Sequence, residues 1–558
     1  MARSTSLFTI LLAIPVFAVA QTVPNAGELL REAAPRPATS PAPEAPAVTT
    51  TPAATDTATT GPKILVKEIT VTGNTVIPAA ELHALVASAE GTSLTLGELR
   101  AVADRITQAY VARGYFLARA YLPAQEIADG SIIIAVQEGR LGTAKLVNTS
   151  LVADPVALRF LAPLASGEVV SSANVEDVLL RLREVPGLES TSTMQPGVEA
   201  GTADLIVTTT PARRVSGSVN LDNAGGDSTG AFRLGATAEI ASPLGQGDRL
   251  TVQGLSTLGD DENLRYGRVA YDYALGGRGL RVGAAYSHLT YELGQNFAAL
   301  EANGTADVAQ LWFSRPLYRS RMATADARIG YDYRDLDDRV DATATRTPRT
   351  LHSAIAGLSG SLRDGFFGGG YTTASLTLTY TDVDITDAAA RALDDASAET
   401  QGGAAKLEAQ LERSQALVGD LSLYVRLRGQ VASGNLDSAD QTGASGPSSV
   451  RAYPQGELFG DQAVLFTAEL RHPLPLPANL GSWQGAVFYD QATVWLNQDP
   501  FVAGDNDRTL AGVGAGVRWS YGSHWSAQVD AAWRTQGGSP VADGDHTPQV
   551  WASVAFGF

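Results

Sequence analysis

From Arg213 to Phe558 the chain runs in segments of about ten residues in which apolar and polar side chains alternate. Clusters of Gly, Asp and Asn separate the segments. Ala374, Leu376, Leu378 and Tyr380 alternate with Thr373, Ser375, Thr377 and Thr379. Leu421, Leu423, Val425 and Leu427 alternate with Ser422, Tyr424, Arg426 and Arg428. Period two is the strand period, because successive side chains of an extended chain point to opposite faces. A single run of this kind also fits a strand of a soluble sandwich. A long series of them, with no stretch apolar and long enough for a spanning helix, narrows the options. In hydrocarbon every backbone polar group must find a partner, so such a chain can cross a membrane only by closing its strands into a barrel. The chain ends with Val550, Ala552, Val554, Phe556 and Phe558 on one face, and Phe556 and Phe558 are the candidate assembly signal. One stretch, Asp387 to Leu411, has helical spacing instead and is expected to form an external loop.

The first twenty residues support a membrane or extracellular setting. Arg3 precedes an apolar run from Leu7 to Phe17, and Ala18-Val19-Ala20 then reads as a cleavage site before Gln21. Leu7 to Ala20 is 14 residues, whereas a spanning helix needs about 20. The chain has no cysteine, which excludes disulfides, thiolate metal sites and lipid attachment after the leader. A net charge of -18 excludes a general nucleic-acid surface. Charged residues at only 18%, with 56 glycines, fit β-structure better than a soluble helical enzyme. The six histidines show no metal-ligand spacing, and no nucleophile elbow, zinc-protease motif or P-loop is present. Asp335-Leu336-Asp337-Asp338 reads as a solvated acidic loop, and the seven tryptophans as interface or lumen aromatics. Neither an enzyme nor a cofactor is expected.

Between leader and barrel, the sequence predicts a short helix, a linker and two small modules. Asn25 precedes Glu28, Leu29, Leu30 and Ala33, the pattern of a capped helix with a short apolar stripe. Such a helix is marginal alone and needs a seat. Residues 35–62 are rich in Pro, Ala and Thr and can reach roughly 85 Å when extended. Residues 63–140 then read β-α-α-β-β. Strands are expected over Ile64–Val71, Phe116–Leu122 and Ser131–Glu138, with helices at Pro78–Ala89 and from Leu96 to Tyr110. Residues 141–212 repeat the order, with strands over Leu141–Asn148, Ser190–Met194 and Ala203–Thr210. Their helices run from Asp154 as cap to Leu164, and through Val175 to Val185.

One loop of the alternating region stands out. Pro447 to Gly456 is turn-rich and polar and contains Val450-Arg451-Ala452-Tyr453. Arg113-Gly114-Tyr115-Phe116, Arg119-Ala120-Tyr121-Leu122-Pro123-Ala124-Gln125 and Gln137-Glu138-Gly139-Arg140 resemble the first periplasmic module of two-partner-secretion outer-membrane transporters (TpsB, haemolysin secretion/activation type). Leu221-Asp222-Asn223-Ala224-Gly225 and Pro243-Leu244-Gly245-Gln246-Gly247-Asp248 resemble the start of that family's barrel. Val450-Arg451-Ala452-Tyr453 is similar to its V-R-G-Y loop, and Phe488-Tyr489-Asp490-Gln491-Ala492 to its F-x-D-x-G strand. The resemblance spans nearly all of the mature chain.

It implies a leader over 1–20, a plug helix in 21–34 using Leu29, Leu30 and Ala33, and a Pro-rich linker over 35–62. It further implies polypeptide-transport-associated (POTRA) modules at 63–140 and 141–212. Residues 213–558 would form a sixteen-stranded outer-membrane barrel with an inward loop near 440–460. At 346 residues, the last region supplies about 22 per strand and its connection. Arg451 would meet Asp490, with Phe488 on the same lumenal face. Ala452 and Ala492 stand where the family has glycine, and a left-handed backbone at Ala452 would be strained. The implied function is export of an unfolded, β-helical haemagglutinin- or haemolysin-type partner protein from periplasm to cell surface. The other partners would be the lipid bilayer and the outer-membrane assembly machinery. Candidate client surfaces are the edge strands Phe116, Leu117, Ala118, Arg119, Ala120, Tyr121, Leu122 and Ser190, Thr191, Ser192, Thr193, Met194, which could accept an extended chain by β-augmentation. The rivals are an insertase of the same superfamily, usually with more modules and without plug and linker, and a passive porin.

Overall fold

The computed structural model describes residues 23–33, 61–127, 129–259 and 263–558. The leader, its Ala20/Gln21 cleavage site and the linker up to residue 60 lie outside the described residues.

Each of the two small modules is a three-stranded sheet under two helices. In the first, the central strand Ser131–Gln137 pairs in parallel with Glu68–Thr72 and antiparallel with Arg119–Tyr121. Its helices are Ala79–Val86 and Leu96–Ala112. The second helix starts at a capping box in which Thr95 and Glu98 each bond the other's backbone amide. In the second module Thr202–Pro211 lies between Arg140–Asn148, parallel, and Leu188–Pro196, antiparallel, with helices Asp154–Leu161 and Ser172–Arg183. Ala153, not Asp154, is the N-cap residue there, and the helix stops three residues before Leu164. The strand expected over Phe116–Leu122 shrinks to Arg119–Tyr121. Phe116 and Leu117 turn away to pack on the core of the second module.

The rest of the described chain closes into sixteen antiparallel strands, from Val215–Asp222 to Gln549–Gly557. Val269, Leu311, Ile329, Leu378, Leu427 and Val487 are all exposed on the outer face. A belt of this kind on a closed sheet is built for lipid, not water. Among the described residues no helix is long and apolar enough to cross a membrane. First and last strands meet over only five residue pairs, Ser553↔Asp222 to Gly557↔Ser218. Asn223 lengthens this seam by accepting from Ala552 N (2.7 Å) and donating to Val550 O (2.9 Å). The external loop expected over Asp387–Leu411 is only partly that. Ala388–Asp395 is a helix capped by Asp387, but Gly402–Ala416 is a barrel strand. Leu407 and Leu411 are four apart, a spacing that satisfies both one helix face and one strand face.

The second module is joined firmly to the barrel turns at one end. Arg319 lies between Glu184 of the module (2.5 Å) and Asp326 of the barrel (2.6 Å). Arg181 donates to the carbonyls of Arg278 (2.9 Å) and Pro316 (3.0 Å). The Pro243–Asp248 turn docks as well: Ala153 N donates to Gly245 O, and Ser242 Oγ to Pro186 O, both at 2.9 Å.

The short helix Ala26–Ala33, labelled α1, sits inside the barrel toward the opposite end. Leu29, Leu30 and Ala33 pack with Leu264, Tyr266, Leu289, Leu336 and Leu351. Its start is tied down by polar groups. Asn25 Oδ1 accepts from the amides of Gly27 and Glu28 and from Ser438 Oγ, and Ala26 N donates to Asp338 at 2.7 Å. Arg349 then binds both Asp338 (2.9 Å) and Asp437 (3.2 Å), which joins helix, wall and loop.

Candidate functional site

The strands Ser422–Ala432 and Gln462–Leu474 are neighbours in the barrel, yet 29 residues separate them, far more than a hairpin needs. That segment folds back into the lumen. A two-residue ladder pairs Thr442–Gly443 with Phe459–Gly460, and a bridge from Ser445 to Val450 tightens the tip. Lumenal arginines hold its sides: Arg426 donates to Ser448 O (2.7 Å) and Arg428 to Gly443 O (2.8 Å).

At the tip Val450, Arg451, Ala452 and Tyr453 are all buried. The Arg451 guanidinium makes a fork on Asp490, with Nε to Oδ2 at 2.7 Å and Nη2 to Oδ1 at 2.9 Å. The sequence pairing of Arg451 with Asp490 is thus present as a bidentate contact, the geometry that gives such bonds direction. The third nitrogen donates to Glu469 at 2.7 Å and lies 3.6 Å from Asp530. The guanidinium plane also covers the Phe488 ring, 3.3 Å from its centroid. Glu469 is shared with Arg471 (2.7 Å) and Arg518 (3.0 Å). Three arginines therefore face three carboxylates in a buried, locally neutral cluster. From the last strand, Trp551 Nε1 donates to the Arg451 carbonyl at 2.8 Å. The Tyr453 hydroxyl reaches the carbonyls of Gln536 (2.8 Å) and Gly538 (2.9 Å).

Glu469, Asp530 and Trp551 are not evident from the sequence, although each sits on the polar face of an alternating strand. A further feature has a visible signal. Gly512, Gly514 and Gly516 occupy one face of strand Asp507–Tyr521, and a Cβ at each would collide with a member of the site. It would lie 2.3 Å from the Ala452 Cβ at Gly512, 2.2 Å from the Phe488 ring at Gly514, and 1.7 Å from the Asp530 carboxylate at Gly516. The three glycines form the floor on which the loop rests. They also explain why alanine is accepted at 452. Ala452 does not have a positive φ, so no left-handed strain arises there, and its methyl fills the space Gly512 leaves. Ala492 is likewise fully buried without conflict.

The other predicted residues lie elsewhere. Arg119, Ala120 and Tyr121 form a sheet edge beside helix Leu96–Ala112, with Leu122 just beyond it. A groove of about 630 Å³ there is lined by Arg100, Asp104, Arg119, Tyr121, Leu122 and Gln125. Ala118 and Ala120 point into the module core, and Phe116 and Leu117 belong to the joint between modules. Ser190 and Ser192 face inward on the edge strand of the second module, while Thr191 and Thr193 face out and Met194 packs on the core. Phe556 packs on Trp525, with centroids 4.8 Å apart, and the backbone of Phe558 pairs with Gly217.

Comparison with known proteins bears on this architecture. The family described as haemolysin secretion/activation protein ShlB/FhaC/HecB matches residues 201–519, and the ShlB-type POTRA domain matches 64–139. The heme/hemopexin transporter protein HuxB of Haemophilus influenzae is 26% identical over 467 residues, 81% of this chain and 80% of that protein. Among solved structures, CdiB from Escherichia coli superposes with a TM-score of 0.72 at 22% identity, covering 92% of this chain and 94% of that one. CdiB from Acinetobacter baumannii superposes with a TM-score of 0.63 at 17% identity, over the same shares of each chain.

Proposed function

This chain belongs to the haemolysin secretion/activation family ShlB/FhaC/HecB, and we propose how its parts share the export of a partner protein. It is an outer-membrane transporter of the two-partner secretion type, with its POTRA modules in the periplasm. The module end of the barrel is therefore the periplasmic end, and α1 lies toward the cell surface.

In our reading the secreted partner arrives unfolded and is held first at the POTRA sheet edges. The edge strand Arg119–Tyr121, beside its groove, is where an extended chain would add, displacing Thr107 Oγ1 from the Ala120 amide (3.0 Å), which is recognition with little sequence demand. The client then enters the lumen, where α1 acts as the plug and the Val450–Tyr453 loop as the fixed element beside the path. No catalytic group is assigned. Folding of the partner outside supplies the drive, and the chain's own insertion calls on the assembly machinery and the bilayer.

The observation that carries this reading is Arg451, buried at the tip of an inward loop and gripped by Asp490 and Glu469 of the barrel wall. A passive pore has no use for a loop locked through so many charges. Arg451→Ala leaves Asp490 and Glu469 short of a counter-charge, at a cost of about 3–5 kcal/mol to the loop's position. The sixteen-stranded ladder does not depend on that contact. Secretion of the partner should therefore fall to background while barrel abundance in outer-membrane fractions stays at wild-type level. Normal export by this variant would remove the loop from the mechanism.

A further inference from the structure

Between the periplasmic end and α1, one sector of the lumen wall carries guanidinium groups that make no direct ion pair, with Asp332 as the nearby carboxylate. The sector comprises strands Asn263–Leu275, Ala302–Arg319 and Ala323–Val340. Parity along each strand puts Arg268, Gln310, Trp312, Arg328 and Asp332 on the same inward face as Tyr266, Val308 and Leu336, which pack with α1. Lowest of these is Arg328, lying over the Trp312 ring at 4.9 Å from its centroid. Gly283 is what lets that indole lie flat, since a Cβ there would come within 2.2 Å of it. Higher on the wall, its backbone level across the ladder with Ser287, Val308 and Arg334, Arg268 donates to Gln310 (3.0 Å) and Gln253 (3.4 Å). Those partners are neutral amides. Among the described residues no carboxylate lies at ion-pair distance from Arg268 or Arg328.

Above them, against α1, is a cavity of about 290 Å³ lined by Leu30, Arg31, Arg268, Gln310, Asp332 and Arg334. Arg334 forks onto Asp440 through Nη1 (3.1 Å) and Nη2 (3.0 Å), and Asp332 accepts from Gln310. Arg31 differs: all three of its guanidinium nitrogens are buried with no hydrogen-bond acceptor, it lies 4.9 Å from the Phe459 ring centroid, and Glu28, Glu32, Asp437 and Asp440 act on its charge without bonding it. A buried donor left unmade is costly, more so when charged. The column thus ascends from Arg328 through Arg268 to Arg31 with donors in excess, inside a chain whose net charge is -18.

We propose that this column is a receiving track for the secreted partner, specifically for an extended polypeptide segment bearing carboxylates. Side-chain carboxylates and main-chain carbonyls of the segment supply the acceptors that Arg328 and Arg268 lack, and the leading end reaches Arg31 at the underside of α1. Trp312 provides a flat apolar face beside the charge, so passing side chains of other kinds are tolerated. The inference rests on the export reading above and deepens it.

The test uses the full chain in planar bilayers, with a synthetic peptide of alternating Glu and Thr added on the periplasmic side. A Gln/Thr peptide serves as control. We expect the acidic peptide to block wild-type openings and the control to leave them open. Arg268→Gln with Arg328→Gln should weaken the block roughly tenfold, and the Arg→Lys pair, which keeps both charges, should restore most of it. The same Gln pair should lower partner secretion several-fold at unchanged membrane abundance. Equal block of wild type and the Gln pair overturns the track. So does a change confined to small-anion selectivity, with peptide block unaltered. If the wild-type chain itself exports no partner, it is the export reading that fails, and the peptide measurement still judges the track alone.

Discussion

At the residue scale the lumenal site works through complementary absences as much as contacts. Arg451 can lie flat between Asp490 and Phe488 because Gly514 gives the Phe488 ring its space, and Ala452 fits because Gly512 has no side chain. Gly512→Val places branched carbons where the Ala452 methyl sits, on backbone of a closed barrel that has little freedom to shift. We expect the loop tip to be forced off the wall, with secretion reduced about as far as in Arg451→Ala and barrel abundance retained. Protease access to the loop at intact cells, together with export of the partner, measures both. The pairing of Arg451 with Asp490 was legible in the sequence, because each stands in a recognisable motif. Glu469 and Asp530 were not, since a carboxylate on the polar face of an alternating strand gives no sign of which loop it will meet. Period-two glycines at 512, 514 and 516 were a readable signal of close approach that strand patterning alone passes over.

At the scale of elements, legibility followed the strength of the local pattern. Helix Leu96–Ala112, with apolar spacing and a capping box, lies where the sequence put it. The segment Phe116–Leu122 did not, because its first residues are recruited to the neighbouring module, a tertiary demand that alternation cannot reveal. The motif Gln137-Glu138-Gly139-Arg140 acquires a physical meaning here. Glu138 is buried and accepts from Thr75 N (2.5 Å), Val76 N (2.9 Å) and Tyr110 Oη (2.8 Å), and from the Thr75 hydroxyl, so it staples the first module together. Burial alone would raise its carboxyl, but these bonds outweigh burial and hold it below the ordinary glutamate value. The folded state therefore binds the proton more weakly than the unfolded chain. That stabilisation is complete above the unfolded value of about 4.3 and is lost as pH falls through the lower folded value. Amide exchange in the first module should accelerate below about pH 4. Glu138→Gln should remove that acid-dependent step and cost about 1–3 kcal/mol at neutral pH, read from the same exchange measurement.

On the scale of the whole molecule, two assemblies with separate sources of stability are joined at one end. The POTRA modules have their own apolar cores, whereas the barrel is held by a continuous ladder closed at the Asn223-assisted seam. Contacts between them are ion pairs and turn-level hydrogen bonds, chiefly through Arg319, Arg181 and the Pro243–Asp248 turn, with Ala274 of the barrel packed into the second module's core. None of these belongs to the inter-strand ladder. Removing Gly61 to Thr210 therefore takes away the edges proposed to bind the client and leaves Arg319 with Asp326 as its remaining carboxylate, but it deletes no barrel strand. Nor does it touch the loop, its glycine floor or the Arg268–Arg328 column. The expected protein inserts in the outer membrane, shows the heat-modifiable mobility of a closed barrel, and exports no partner. Docking through charged groups ties the second module to the periplasmic end of the barrel, which on the proposed reading delivers a chain held at the Arg119–Tyr121 edge toward the pore. Continued secretion by the truncated protein would mean that the barrel recognises its client alone, and the POTRA edges would then have no part in capture.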